Sequence, residues 1–200
     1  MTCARSVLAT RPVRLSLADL AAAQGRVVPD VLGYGLRVLF CGINPGLWSA
    51  AVGHHFARPG NRFWKALHLG GLTPRQLGPD EEAELLALGL GITNLVDRAT
   101  AGAADLGPEE LRAGGSRLAA KADAARPEVV AVLGVGAYRT AFARPKATVG
   151  PLPDPIGWSR AWLLPNPSGL NAHYQLPDLA EAFAELRRAL DGYPSSDLGE

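Results

Sequence analysis

Cysteine is nearly absent: Cys3 and Cys41 are the two in 200 residues, so no four-thiolate zinc or iron–sulfur site can be built from this chain. Long apolar runs are also missing. Runs such as residues 129–135 and 161–164 fall far short of the roughly 18 to 20 residues that cross a bilayer. Arg5, Arg11 and Arg14 stand near the N-terminus, but no apolar stretch with a small-residue cleavage site follows them, so the expectation is an intracellular protein. No repeat or low-complexity segment is visible. Lysine is scarce (Lys65, Lys121 and Lys146) beside abundant arginine, alanine and glycine, the usage of a G+C-rich genome and no mechanistic signal. Excess charge is lacking as well: 20 basic and 19 acidic residues leave a formal +1. That balance neither supports nor excludes DNA, because arginines can gather on one face of a nearly neutral protein.

What is present describes one globular domain, 48% hydrophobic and 20% charged. Residues 1–28 read as an arm with at most one helix, at 15–23; residues 29–190 as a single domain; residues 191–200 as a polar tail. Residues 36–41, Leu-Arg-Val-Leu-Phe-Cys, form a β-rich run that stops at Gly42, as a buried parallel strand does on entering a loop. Further strands are expected at 92–96, 128–133 and 161–164. Helices are expected from Asn61, a plausible N-cap, through Leu67; at 79–88, with Pro79 opening it and acids in the first turn; and at 108–126, interrupted by Gly114 and Gly115. A short helix at 138–143 precedes a Pro/Gly-rich loop at 145–157. Leu176, Leu179, Phe183, Leu186 and Leu190, spaced by three and four, mark a closing helix with one buried stripe. This alternation predicts an α/β fold: a three-layer α/β/α sandwich around a central, mostly parallel sheet, with its site in the loops at the strands' carboxyl ends. Gly134-Val135-Gly136 lacks the third glycine of a dinucleotide fingerprint and reads as a tight strand-to-helix turn.

Two loops after strands carry unusual polar and glycine content: Gly42-Ile43-Asn44-Pro45-Gly46, and Asn166-Pro167-Ser168-Gly169-Leu170-Asn171. Taken alone, Asn44-Pro45-Gly46 is a turn signal. Together, and with residues 56, 59, 61–65, 95–98 and 114–115 in the same order, they resemble the mismatch-specific uracil/thymine-DNA glycosylases, in particular the bacterial mismatch uracil-DNA glycosylase branch. The resemblance runs over roughly residues 29–190 and implies the same three-layer fold, that of the uracil-DNA glycosylases.

The resemblance implies a DNA-repair enzyme that flips uracil, chiefly opposite guanine, out of double-stranded DNA and hydrolyses its N-glycosidic bond, leaving an abasic site. It implies no cofactor and no metal, a monomer, and a cytoplasmic, nucleoid-associated place in a bacterium. Asn44 falls where the family positions the attacking water; an amide orients a water but hardly deprotonates it. Asp97, after the second strand, is the alternative catalyst, against a structural reading as an ion pair with Arg98. Phe56 matches the aromatic on which the flipped base stacks, while Ile43, Gly46 and Asn94 line up with the segments that read it. Ser49 corresponds to a position beside the base's C5 edge. Gly169 and Leu170 match an apolar wedge that fills the gap in the duplex, within the DNA-binding run of Asn166, Pro167, Ser168 and Asn171. Arg58, Arg62 and Lys65 are candidates for phosphates.

Two departures stand out: Ala172 occupies a position where some relatives carry an arginine that touches the opposite strand, and Trp48, His54 and His55 replace smaller or apolar residues. No lysine lies in either signature loop, which disfavours strand cleavage through a Schiff base. The alternative from another class is a damage- or mismatch-binding DNA protein with little catalytic activity; a small nucleotide- or sugar-binding α/β protein follows from the fold alone.

Overall fold

The computed structural model describes residues 14–192; Cys3, Arg5, Arg11 and the tail beyond Gly192 lie outside them. Five strands form one sheet: β1 (Val38–Gly42), β2 (Leu90–Asn94), β3 (Val129–Leu133), β4 (Gly150–Ile156) and β5 (Ser159–Leu164), in the order β2-β1-β3-β5-β4. β2, β1, β3 and β5 run parallel, and β4 pairs antiparallel with β5 at the edge. The helices are α1 (Leu17–Ala22), α2 (Leu47–Val52), α3 (Phe63–Leu69), α4 (Pro108–Ala125), α5 (Val135–Ala141) and α6 (Leu176–Asp191), with 3-10 helices at Pro79–Leu88 and Ala103–Asp105.

Every residue of β1, β2 and β3 is buried, which is why these strands read as continuous apolar runs: both faces of the sheet are covered. The two-residue period of the strands divides the core. Val38 and Phe40 point to the side of Phe63, Leu67, Phe183 and Leu186 on α3 and α6. Leu39 and Cys41 point to Leu118 and Ala122 on α4 and Tyr138 on α5. The result is the expected α/β/α sandwich. On α6 the stripe of Leu179, Phe183, Leu186 and Leu190 is buried, and Phe183 stacks on Phe40 with ring centroids 5.7 Å apart.

The strand expected at 92–96 lies at 90–94, and four further local readings change. Residues 150–156 are strand, not loop: Pro151, Pro153 and Pro155 are tolerated because β4 is an edge strand, bonded on one side and interrupted by a register shift between Leu152 and Ile156. Gly114 and Gly115 do not interrupt α4. A Cβ at Gly114 would sit 2.5 Å from the Leu95 carbonyl oxygen and one at Gly115 2.9 Å from that of Ala141, so the pair lets the helix press against two backbones. α2 went unread because six residues between Gly46 and Gly53 are too few to display a helical period. The helix at Pro79–Leu88 is present but wound as 3-10, and ends at Gly89, left-handed at φ 70°. Ahead of β1, α1 leads into Ala23 and Val28, which pack with Ala50 and Ala99 in a small apolar cluster.

Candidate active site

β1 and β2 end side by side, Gly42 opposite Asn94, and their exit segments continue together. Leu95 N–H donates to Gly42 O at 2.9 Å, Val96 N–H to Ile43 O at 2.9 Å and Thr100 N–H to Pro45 O at 3.2 Å. A cavity of about 150 Å³ opens there, a volume that accommodates a six-membered ring. Ile43, Asn44, Gly46, Ser49, Phe56, Asn94, Arg58, Asn166, Ser168 and Leu170 all line it, so residues far apart in sequence meet in one crevice at the carboxyl ends of the strands.

Asn44 is held by its nitrogen. Nδ2 faces the Thr100 hydroxyl at 2.7 Å and the carbonyl oxygens of Arg98 and Pro45, each at 3.2 Å. Carbonyl oxygens only accept, so this environment dictates that the NH₂ lies inward and Oδ1 lies away from it. Among the described residues Oδ1 receives no protein hydrogen bond. It is a fixed acceptor on the cavity wall. Thr100, fully buried, donates its own O–H to Gly102 O at 2.7 Å.

Phe56 has φ 53°, the left-handed region that a bulky residue adopts only under constraint. The neighbours supply that constraint. His55 N–H donates to Glu82 Oε2 at 2.8 Å, the Trp64 indole N–H donates to His55 O at 3.3 Å, and Ala57 N–H donates to the Ser49 hydroxyl at 3.1 Å. Backbone on both sides of Phe56 is thereby pinned, and its ring stacks on Phe63 with centroids 4.1 Å apart. Ser49 therefore has a structural task besides lining the cavity. Gly42 completes the arrangement: a Cβ there would lie 2.4 Å from Asn94 Oδ1 and 3.2 Å from the Phe56 ring, so no other residue lets both converge.

The loop after β5 is stapled to itself. Ser168 N–H donates to Asn166 Oδ1 at 2.9 Å, the Asn171 amide to Asn166 O at 2.9 Å, and Leu170 N–H to the Ser168 hydroxyl at 3.3 Å. Leu170 projects from it, 74% exposed, beside the cavity, and Gly169 lies against the Gly60 backbone. Arg62, expected at phosphates, is turned inward instead. Its backbone N–H donates to Pro167 O at 3.0 Å, and its guanidinium donates to the carbonyl oxygens of Ser168, Asn171 (2.9 Å) and Tyr174 (2.6 Å). Pro167 is buried, while Arg58 and Lys65 are exposed, Arg58 on the cavity rim and Lys65 away from it. The N-cap of α3 is Arg62, not Asn61 as expected; Asn61, one residue earlier, still accepts Phe63 N–H at 2.9 Å.

Asp97 is not among the residues lining the cavity. Neither is it paired with Arg98, whose guanidinium grips Glu110 at 2.6 and 2.7 Å. Asp97 meets Lys121 Nζ at 3.2 Å, and the same ammonium contacts Asp30 at 2.7 Å and the Thr93 hydroxyl at 2.9 Å. Beside this cluster, burial pushes the Cys41 thiol well above its ordinary range, which makes it inert. Among the described residues no three His, Cys, Asp or Glu side chains converge as a metal would require, and no helix is long and apolar enough to cross a membrane.

Thr100, His55 and Glu82 carry parts of the site that sequence reasoning missed. Thr100 sits in no motif, and nothing local distinguishes it. The adjacent histidines stand out in the sequence as a departure, but they lie in the loop after α2 and their common partner Glu82 on the Pro79–Leu88 3-10 helix, with His54 Nδ1 2.9 Å from its Oε1.

At the carboxyl ends of the sheet lie a ring-sized cavity, a side-chain amide anchored by its nitrogen, and an apolar projection on the rim. Residues 29–190 match the Uracil DNA glycosylase superfamily, and the chain belongs to that superfamily. Membership points to uracil-DNA glycosylase activity in DNA repair, with DNA as the macromolecule acted on. The fold is similar to the solution NMR structure of a candidate uracil DNA glycosylase from Methanosarcina acetivorans, at 20% identity and a TM-score of 0.54, over 84% of this chain and 98% of that one.

Proposed function

We propose that this chain is a monofunctional, mismatch-type uracil/thymine-DNA glycosylase that flips uracil, chiefly uracil opposite guanine, from double-stranded DNA and leaves an abasic site. The observation that carries this reading is Asn44: its nitrogen is anchored by three acceptors, so its Oδ1 is an immobile acceptor on the wall of a ring-sized cavity. Oδ1 holds a water by accepting a hydrogen bond from one of its O–H groups. In the reaction the C1′–N1 bond breaks with its electron pair leaving on the base, the water oxygen bonds C1′, and a water proton is released. An amide supplies no base strength, so bond breaking leads and the water follows onto an oxocarbenium-like sugar, with slow turnover as the consequence.

Phe56 gives a stacking face worth roughly 1 to 3 kcal/mol per base, and Asn94 a side-chain amide for the base's polar edge. Leu170, exposed on the rim, is the wedge that replaces the lost stacking. Hydrolysis rather than Schiff-base chemistry is supported by the lysines: Lys121 is tied to Asp30 and Asp97, and Lys65 stands off the cavity.

The test is excision from labelled duplexes holding uracil or thymine opposite guanine and uracil opposite adenine, scored after alkaline cleavage, for wild type and Asn44→Ala. Release of uracil by wild type and a loss of roughly 10²-fold or more in Asn44→Ala supports the reading. No release in any context, with binding retained, returns the protein to the damage-binding class.

A further inference from the structure

We propose that His55 is a positioning residue that fixes which way the Asn94 amide faces, and thereby the hydrogen-bond pattern this cavity offers a base; the proposal rests on the uracil-excision reading above. His55 is 2% exposed and its Nε2 lies 2.9 Å from the Pro29 carbonyl oxygen. That oxygen only accepts, so Nε2 carries a proton. Burial holds the ring's pKa below its ordinary value, against the opposing pull of the Pro29 bond and of Glu82 and Asp30, with His54 adding to the depression. Burial thus favours the neutral ring, and with the proton on Nε2 that ring presents a bare lone pair at Nδ1.

Nδ1 faces Asn94 Nδ2 at 3.4 Å. In this orientation an amide N–H points at the lone pair. Turned over, Oδ1 would meet Nδ1 lone pair to lone pair, an arrangement penalised in a buried site. Asn94 Oδ1 is accordingly left on the Gly42 side, where a Cβ would come within 2.4 Å of it. A base entering the cavity then finds a fixed acceptor beside a fixed donor. Uracil presents N3–H next to O4 and matches that order; cytosine presents a lone pair at N3 next to an amino group and opposes it. The order is set two hydrogen bonds away, by the Pro29 carbonyl, through the imidazole.

Two measurements on the full chain test this. Long-range ¹⁵N–¹H correlation of the histidine rings at neutral pH is expected to show His55 protonated at Nε2 and bare at Nδ1; a proton on Nδ1 overturns the proposal. Single-turnover uracil excision is then followed in a double-mutant cycle of His55→Gln, which keeps a donor for Pro29 but nothing at the Nδ1 position, with Asn94→Ala. His55→Gln is expected to slow excision about tenfold in the wild-type background, the scale of one hydrogen bond, and by no more than about twofold in the Asn94→Ala background. His55→Asn, which restores an acceptor near Nδ1, should recover part of the rate. Equal losses in both backgrounds, or none in either, overturn the proposal. If wild type releases no uracil, the functional reading fails by itself, and the tautomer measurement still decides the positioning role.

Discussion

The Asn44 side-chain nitrogen lies 2.7 Å from the Thr100 hydroxyl, and this bond ties the loop after β1 to the loop after β2. Thr100 is fully buried and donates onward to Gly102, so its hydroxyl is both the anchor of the Asn44 amide and the brace of the 100–103 wall. Thr100→Val keeps shape and removes both bonds. The expected result is excision slowed about tenfold with DNA affinity unchanged, since losing a buried partner costs roughly 1 to 3 kcal/mol and the loop that carries Leu170 is untouched. Single-turnover rates beside equilibrium binding read the two separately.

Asp97→Ala should leave excision within about threefold of wild type, while Asn44→Ala removes it, because the carboxylate faces Lys121 and is not part of the cavity wall. A loss in Asp97→Ala as large as in Asn44→Ala would move the water-activating role to the acid.

Arg62 and Arg58 should separate in salt. Arg62→Ala frees the loop carbonyls of Ser168, Asn171 and Tyr174 and lowers affinity for uracil-containing duplex, but the slope of log affinity against log salt stays as in wild type, since no phosphate contact is lost. Arg58→Ala, removing an exposed cation on the rim, is expected to reduce that slope by about one. A slope change in Arg62→Ala would return its guanidinium to the DNA backbone.

Gly42→Ala is expected to abolish excision in a protein that still folds. The added methyl drives against Asn94 and the Phe56 ring, and overpacking of this kind costs roughly 1 to 3 kcal/mol of stability. Thermal melting and excision measured on the same preparation check both halves.

His55 also writes a pH signature. Its folded pKa lies below the ordinary 6.5 chiefly because the ring is buried, with Glu82 and Asp30 as its charged neighbours and His54 as a titratable one. In the unfolded chain the ring takes a proton as pH falls through about 6.5, whereas the folded ring resists until its own lower pKa is reached. The unfolded state therefore binds more protons in that window, and stability falls with acidification. Urea melts at pH 8 and pH 5.5 should show the stability of wild type relative to His55→Gln shrinking at the lower pH. A difference that stays constant would mean that His55 titrates as an ordinary exposed histidine.

Apolar periodicity on its own determined the layers: buried runs at β1, β2 and β3, the stripe on α6, and the alternation that sends Phe40 one way and Cys41 the other. These are local patterns, because a strand or helix buried on a known face must repeat at its own period. The two signature loops were legible for the same reason, each being a contiguous stretch. β4 was hidden, since three prolines mimic a loop unless the strand is known to lie at an edge. Tertiary structure alone decided everything that depends on two distant segments meeting. Arg62 looks like a phosphate ligand until residues 168–174 are folded over it. Asp97 looks like a base until Lys121 arrives from α4. Thr100 and His55 acquire their tasks only when β1 and β2 end side by side and carry Asn44 and Asn94 to them. Residue type limits what a side chain can donate or accept; which partner it finds is a property of the packed chain.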